Sequence, residues 1–204
     1  MSSRALSVKQ SMIKNAVNQL QKYDFEVYNY NLPDIELCFE ILARHQSHNF
    51  PSLLLKFCEN IDRLKPHTTQ ELKLLSHIIS AIPILIGRKN RRDSLQDDIV
   101  YERENLCAIN DSTFGKIINS PKYPLALAKR GGYFYNINGD KLKRLRKEKS
   151  LSQSNLAKKI GVSRKSISSY ENAGMRASIE KAKKLREILD ESVVLPMDFY
   201  TTIK

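Results

Sequence analysis

Residues 151–174, LSQSNLAKKIGVSRKSISSYENAG, constrain the fold more than any other stretch. Leu156 and Ile160 stand four apart, so they share one face of a helix, and Ser152 ahead of them is a residue type whose hydroxyl caps a helix N-terminus. Gly161 marks the end of that helix, because glycine takes the left-handed C-terminal conformation without strain. Val162 plugs the corner, and Ser163 caps a second helix whose buried face is Ile167 and Tyr170. Two helices joined by a three- to four-residue turn containing Gly read as a helix-turn-helix.

The charge is placed to match. The 204-residue chain carries a net charge of +12, and between Gly139 and Glu191 fifteen Lys and Arg stand against seven Asp and Glu. A clustered basic face is the footprint of a nucleic-acid binder. A hydrophobic fraction of 41% with 27% charged residues is that of a globular protein, long enough for one or two domains. No apolar run approaches the roughly 18 residues that span a bilayer, and the N-terminus has no signal-peptide pattern. Cys38, Cys58 and Cys107 have no metal-ligand spacing. Together these predict a cytoplasmic protein in a reducing compartment, with no membrane association.

Other chemistry finds little support. There is no GxGxxG, no Walker-type Gly-Lys-Ser/Thr and no Ser-His-Asp context. His45 and His48 are three apart in a polar loop that shows no third ligand, so no metal and no cofactor are expected. Tyr28, Tyr30, Tyr133 and Tyr135 could stack on bases, but alternate strand positions favour packing on a sheet.

Taken in order, residues 7–21 carry apolar side chains at helical spacing, and Phe25 to Tyr30 alternates as a strand does. Ile35 to Ala43 reads as a second strand, Arg44 to Asn49 as a polar turn and Ser52 to Cys58 as a buried third strand. A helix is expected over Thr69 to Ala81, capped by Thr68 or Thr69, with Leu72, Leu75, Ile78 and Ile79 facing inward. Pro83 should end it and open a strand, Ile84 to Gly87. Arg88 to Asp98 reads as a charged loop, Ile99 to Glu102 as a short strand, and a helix capped by Asp111 or Ser112 runs to Asn119. Gly131-Gly132 suits the tight turn of a hairpin within 121–138. Ser178 to Leu189 is a further amphipathic helix, and the apolar tail from Val193 to Phe199 should pack back onto the protein. The boundaries expected are therefore an α/β domain over 1–120, a connecting hairpin over 121–138 and a helix-turn-helix domain over 139–204.

The residues of the second domain resemble the Cro and phage-repressor (XRE) helix-turn-helix family. Leu142 and Leu145, Ser152-Gln153, Leu156-Ala157, Gly161-Val162-Ser163, Ile167 and Tyr170-Glu171 carry the likeness. Ala173 departs from it where many members have Gly, and Gly174 is expected to take that turn. The resemblance implies an all-α, lambda-repressor-like domain that binds double-stranded DNA as a homodimer, its second helix in the major groove. Arg164, Lys165, Ser166 and Ser169 fall at the base-reading positions, beside the cap Ser163. Arg and Lys suit guanine, Ser suits either partner, and phosphate contact is the alternative role for Arg164 and Lys165. Ser152 and Gln153 open the preceding helix, where a phosphate is favoured, and Asn172 and Arg176 should reach the backbone on the other flank. Arg146 and Glu171 match family positions that pair across the small core.

The α-β-β-β-α-β order of the first domain, with Glu40 in the second strand and Lys56 in the third, resembles the PD-(D/E)xK nuclease and Holliday-junction resolvase fold. That site needs carboxylates holding a divalent ion and a lysine beside them. The lysine should follow an acid by two residues, but that position is Leu54, and Asp34 could be a remnant of the site. One carboxylate cannot hold magnesium usefully, so an inactive nuclease-like domain is expected, with Lys56 at the exposed end of its strand and Glu40 on the surface. The whole chain resembles archaeal helix-turn-helix transcriptional regulators of this two-domain kind, through Asn60-Ile61-Asp62, Glu71-Leu72-Lys73-Leu74-Leu75, Val100-Tyr101-Glu102-Arg103 and Gly139-Asp140-Lys141-Leu142. A transcriptional regulator is the function implied. A metal-dependent nuclease targeted by the helix-turn-helix is the alternative, and a ligand or protein partner at the N-terminal domain stays open.

Overall fold

The computed structural model describes residues 3–30, 37–47, 50–120, 122–123, 126–129 and 132–202. It forms two compact units, Met1–Tyr123 with Asp198–Lys204 and Pro124–Met197.

The first unit opens with α1 (Ser3–Lys22), whose Met12, Ile13, Ala16 and Leu20 are buried along one helical face. Strands β1 (Phe25–Asn29), β2 (Ile41–His45) and β3 (Ser52–Asn60) form an antiparallel run. Helix α2 (Pro66–Ile78) crosses over to β4 (Ala81–Lys89), which lies parallel to β3. Strands β5 (Ile99–Arg103) and β6 (Leu106–Ile109) make a hairpin whose inner strand, β6, runs parallel to β4. Helix α3 (Asp111–Asn119) and the two-residue strand β7 (Lys122–Tyr123) close the unit. The order β1-β2-β3-β4-β6-β5 puts β3 and β4 at the centre, so Leu53, Leu54, Leu55, Leu85 and Ile86 are fully buried.

Several expectations change here. The second strand begins at Ile41, because Asn29 pairs Ile41 and Phe25 pairs His45. Glu40 therefore precedes it, Arg44 and His45 belong to it, and residues 35–36 of the expected strand lie outside the described residues. Helix α2 starts after Lys65 with Pro66 at its first turn, so Thr68 and Thr69 are buried inside it rather than capping it. It stops at Ile78, and Ser80 at φ 52° turns the chain into β4. Pro83 lies inside β4, opposite Leu54. It is tolerated because the pairing of β4 with β6 begins only at Ile84. Ile78 and Ile79 face out, 68% and 39% exposed. Helix α3 is capped by Asn110, whose side chain accepts from the Thr113 N–H, and not by Asp111 or Ser112. Strand β6 was not foreseen: Glu104 and Asn105, at φ 51° and 57°, form its turn without the Asn-Gly signature.

In the second unit β8 (Ala126–Lys129) and β9 (Gly132–Tyr135) pair antiparallel, with Lys129 opposite Gly132. Helices α4 (Gly139–Glu148), α5 (Gln153–Ile160) and α6 (Arg164–Asn172) follow, then β10 (Ala177–Ser178) and α7 (Ile179–Ile188). Ala177 and Ser178 pair with Tyr135 and Phe134, which ties the hairpin to the helices rather than leaving it as a separate connector. Leu142, Leu156, Ile160, Ile167 and Leu185 form the core of this unit. Val193 and Val194 join that core, while Phe199 and Tyr200, in α8 (Phe199–Thr202), are buried and count with the first unit, Tyr200 lying edge-on to Phe50 at 6.2 Å.

Candidate nucleic-acid interface

Local hydrogen bonds shape the turn between α5 and α6. The Ser152 hydroxyl accepts from the Asn155 N–H at 3.0 Å and starts α5. Gly161, at φ 73° and ψ 52°, ends it, and the N–H groups of Gly161 and Val162 both donate to the Ala157 carbonyl. Ser163 accepts from the Ser166 N–H at 3.0 Å and starts α6. Each bond spans at most five residues, which is why the sequence pattern determines this segment. Gly174, at φ 59°, takes the turn after α6.

A buried ionic cluster holds α4 against α6. Arg146 Nε donates to Glu171 Oε1 at 2.6 Å and an outer guanidinium nitrogen donates to Oε2 at 3.2 Å. Its other outer nitrogen donates to the Leu151 carbonyl at 2.8 Å, and Gln153 Nε2 donates to Glu171 Oε2 at 2.8 Å. Burial alone would push the Glu171 carboxyl up, but the hydrogen bonds from Arg146 and Gln153 prevail and hold it below the ordinary range. Gly139 makes the close approach possible, since a Cβ there would stand 2.5 Å from the Glu171 carbonyl oxygen and 2.7 Å from that of Tyr170.

The outer face of α6 carries the residues singled out in the sequence. Arg164 and Lys165 are exposed at its first turn, with Ser166 and Ser169 half-buried beside them. The Ser163 and Ser166 hydroxyls lie 3.0 Å apart. Asn172 is exposed, and its amide donates to the Ser168 carbonyl at 3.0 Å. Arg176 is half-buried, with Nε donating to Asn136 Oδ1 at 2.7 Å. Gln153 likewise has one amide hydrogen engaged inside the protein. Asn136, 40 residues from Arg176, had no local signal. Asn138, whose side chain accepts from the Lys141 N–H and caps α4, could have been found from its residue type ahead of the helix.

In the first unit the placement of Glu40 and Lys56 on the surface is overturned. They are 3% and 4% exposed, and Lys56 Nζ donates to Glu40 Oε1 at 2.9 Å. Lys9 Nζ reaches the same oxygen at 2.6 Å, the Phe57 N–H donates to Oε2 at 2.8 Å, and Lys56 also donates to the Leu37 carbonyl at 2.6 Å. The pair is buried because it sits where α1 covers β3, a placement that only the packed sheet defines. These residues do not fit a nuclease metal: both oxygens of the one carboxylate already accept from N–H donors, and Leu54, two residues before Lys56, is fully buried hydrocarbon. Asp34 and His48 lie outside the described residues, and His45 Nδ1 is bonded to Ser47. Among the described residues no group of three His, Cys, Asp or Glu side chains could hold a metal ion.

Comparison with known proteins agrees with both halves. Residues 9–124 match the PD-(D/E)XK superfamily domain and residues 142–195 a helix-turn-helix family. The chain is 37% identical over 163 residues to a protein of Pyrococcus furiosus named "Putative HTH-type transcriptional regulatory protein", covering 80% of this chain and 51% of that one. A protein of the same name from Methanothermobacter thermautotrophicus is 38% identical, covering 80% and 52%. Another from Archaeoglobus fulgidus is 32% identical, covering 95% and 61%. The chain thus spans about half the length of most of these relatives. No solved structure matches it. No helix among the described residues is long and apolar enough to cross a membrane.

Proposed function

The chain belongs to the PD-(D/E)XK superfamily and carries an XRE-type helix-turn-helix, and from that premise we propose that it is a sequence-specific transcriptional regulator of double-stranded DNA. The observation that carries the proposal is the first turn of α6. Arg164 and Lys165 stand exposed there, on a helix whose start is set by Ser163 and whose angle to α4 is set by the buried Arg146–Glu171 cluster. Laid in the major groove, that turn offers Arg164, Lys165, Ser166 and Ser169 to base edges. Ser152, Gln153, Asn172 and Arg176 are assigned to phosphates on either side. A homodimer would then place two such helices on half-sites about 34–36 Å apart.

Selection of bound fragments from random DNA tests this, followed by titration of the selected site. Arg164→Ala is expected to cost about 1–3 kcal/mol on that site and to relax base choice at one position. Equal loss on selected and random DNA would remove Arg164 from base reading. The family match favours one competing reading, metal-dependent cleavage. The Leu54 position and a Glu40 carboxylate already engaged by Lys9, Lys56 and the Phe57 N–H support an inactive site instead, so plasmid and branched DNA should survive magnesium and manganese. Cleavage that disappears in Lys56→Ala would establish the nuclease.

A further inference from the structure

We propose that the turn between β4 and β5 is a second DNA-contacting surface, which grips the phosphodiester backbone without reading sequence. Strands β3 and β4 are parallel, with Asn60 opposite Lys89, so the segments that follow them leave neighbouring C-terminal strand ends. Arg63 lies on the segment after β3, Arg88 in the last two residues of β4, and Arg91 and Arg92 on the segment after it, and all four side chains are exposed. None of these four guanidinium groups ends in an ion pair among the described residues.

The backbone beneath them is built. Asn60 Nδ2 donates to the Asn90 carbonyl at 3.2 Å, and the Arg91 N–H donates to Asp62 Oδ2 at 2.9 Å, so the two segments are tied together. Asn90 Oδ1 accepts from the N–H groups of Arg92 and Asp93 at 2.8 Å each, and the Leu95 N–H donates to the Arg88 carbonyl at 2.8 Å. Arg91 and Arg92 thus sit at the tip of a closed turn. Of the carboxylates nearby, Glu59 pairs with Lys89 at 2.7 Å and Asp62 with Arg103 at 2.5 Å, so each already holds another cation.

Arginine rather than lysine dominates this surface, and its planar fork of donors matches the two free oxygens of a phosphodiester. Duplex DNA offers one such charge about every 1.7 Å, so a rigid turn with several guanidiniums meets several phosphates at once. The surface is separate from the buried Glu40–Lys56 pair: Asn60 is four residues beyond Lys56 along an extended strand, about 13 Å. The assignment rests on duplex DNA being the ligand of this chain, as proposed above.

Binding of the full chain to a long random-sequence duplex, followed across salt concentrations, tests it. Arg91→Glu with Arg92→Glu should weaken binding at least about ten-fold and make the slope of log affinity against log salt shallower by roughly 0.9 for each phosphate lost. Preference for the selected site over random DNA should persist. An unchanged slope overturns the proposal. Arg164→Ala with Lys165→Ala is the comparator: if it alone lowers affinity, the turn has no role, and if only the turn variant does, the helix-turn-helix reading fails instead. Should the glutamates disturb the turn, Arg63→Ala with Arg88→Ala gives the same readout from its flanks. Thermal stabilisation by inorganic phosphate that the turn variant abolishes, with an unchanged DNA slope, would assign the surface to a small free anion and overturn the DNA contact. Capture of an acidic protein with no DNA effect would overturn it equally.

Discussion

Glu171→Ala is expected to loosen residues 139–190 and abolish DNA binding while the first unit stays folded. The side chains of Arg146 and Glu171 are 10% and 1% exposed, and the pair is bidentate with further bonds to Leu151 and Gln153. An exposed pair contributes at most about 1 kcal/mol, whereas stranding one charge of a buried pair costs about 3–5 kcal/mol, and the burial here selects the second figure. Against a domain stability of about 5–15 kcal/mol that is a large fraction. Amide exchange of the full chain reads it unit by unit: protection in α4 and α6 should fall by roughly two to three and a half powers of ten. Arg146→Met with Glu171→Leu, which removes both charges, should recover most of the loss. Acid gives an independent check. With its folded pKa held below the unfolded value of about 4.3, Glu171 contributes stability above that value and loses it as pH falls through the lowered one. Unchanged protection of α4 and α6 in both single variants would refute the reasoning and leave the apolar core alone to set the helix angle.

Other perturbations follow from the same geometry. Gly139→Ala should cost about 1–3 kcal/mol in the second unit, because its Cβ would meet backbone oxygen at 2.5 Å, and a melting temperature equal to the native chain's would contradict the close approach. Glu40→Ala should destabilise the first unit by about 3–5 kcal/mol by stranding Lys56, seen as earlier loss of exchange protection in β3. Burial pushes the Cys58 and Cys107 thiols up to about 12, so both should resist thiol reagents near pH 8 until the chain unfolds; prompt labelling would mean the strands open locally.

What the sequence determined by itself is local. Ser152, Gly161 and Ser163 act through bonds to residues three to five positions away, so residue type and spacing were enough to place α5, the turn and α6. The same holds for the α1 stripe. The Arg146–Glu171 pair was reachable only through family resemblance, since its partners are 25 residues apart. Tertiary structure decided the rest. Pro83 entered a strand because β4 is central only beyond it, and Ile78 faced water because it follows exposed Leu74 by four residues, on the side of α2 away from buried Thr68, Leu72 and Ser76. Glu40 and Lys56 illustrate the limit most clearly. Their separation of 16 residues gives no hint of contact, and charged residues are ordinarily read as surface. Only the antiparallel register of β2 and β3, with α1 laid over them, encloses both charges, and enclosure makes them pair, because an isolated charge there would have no water to solvate it.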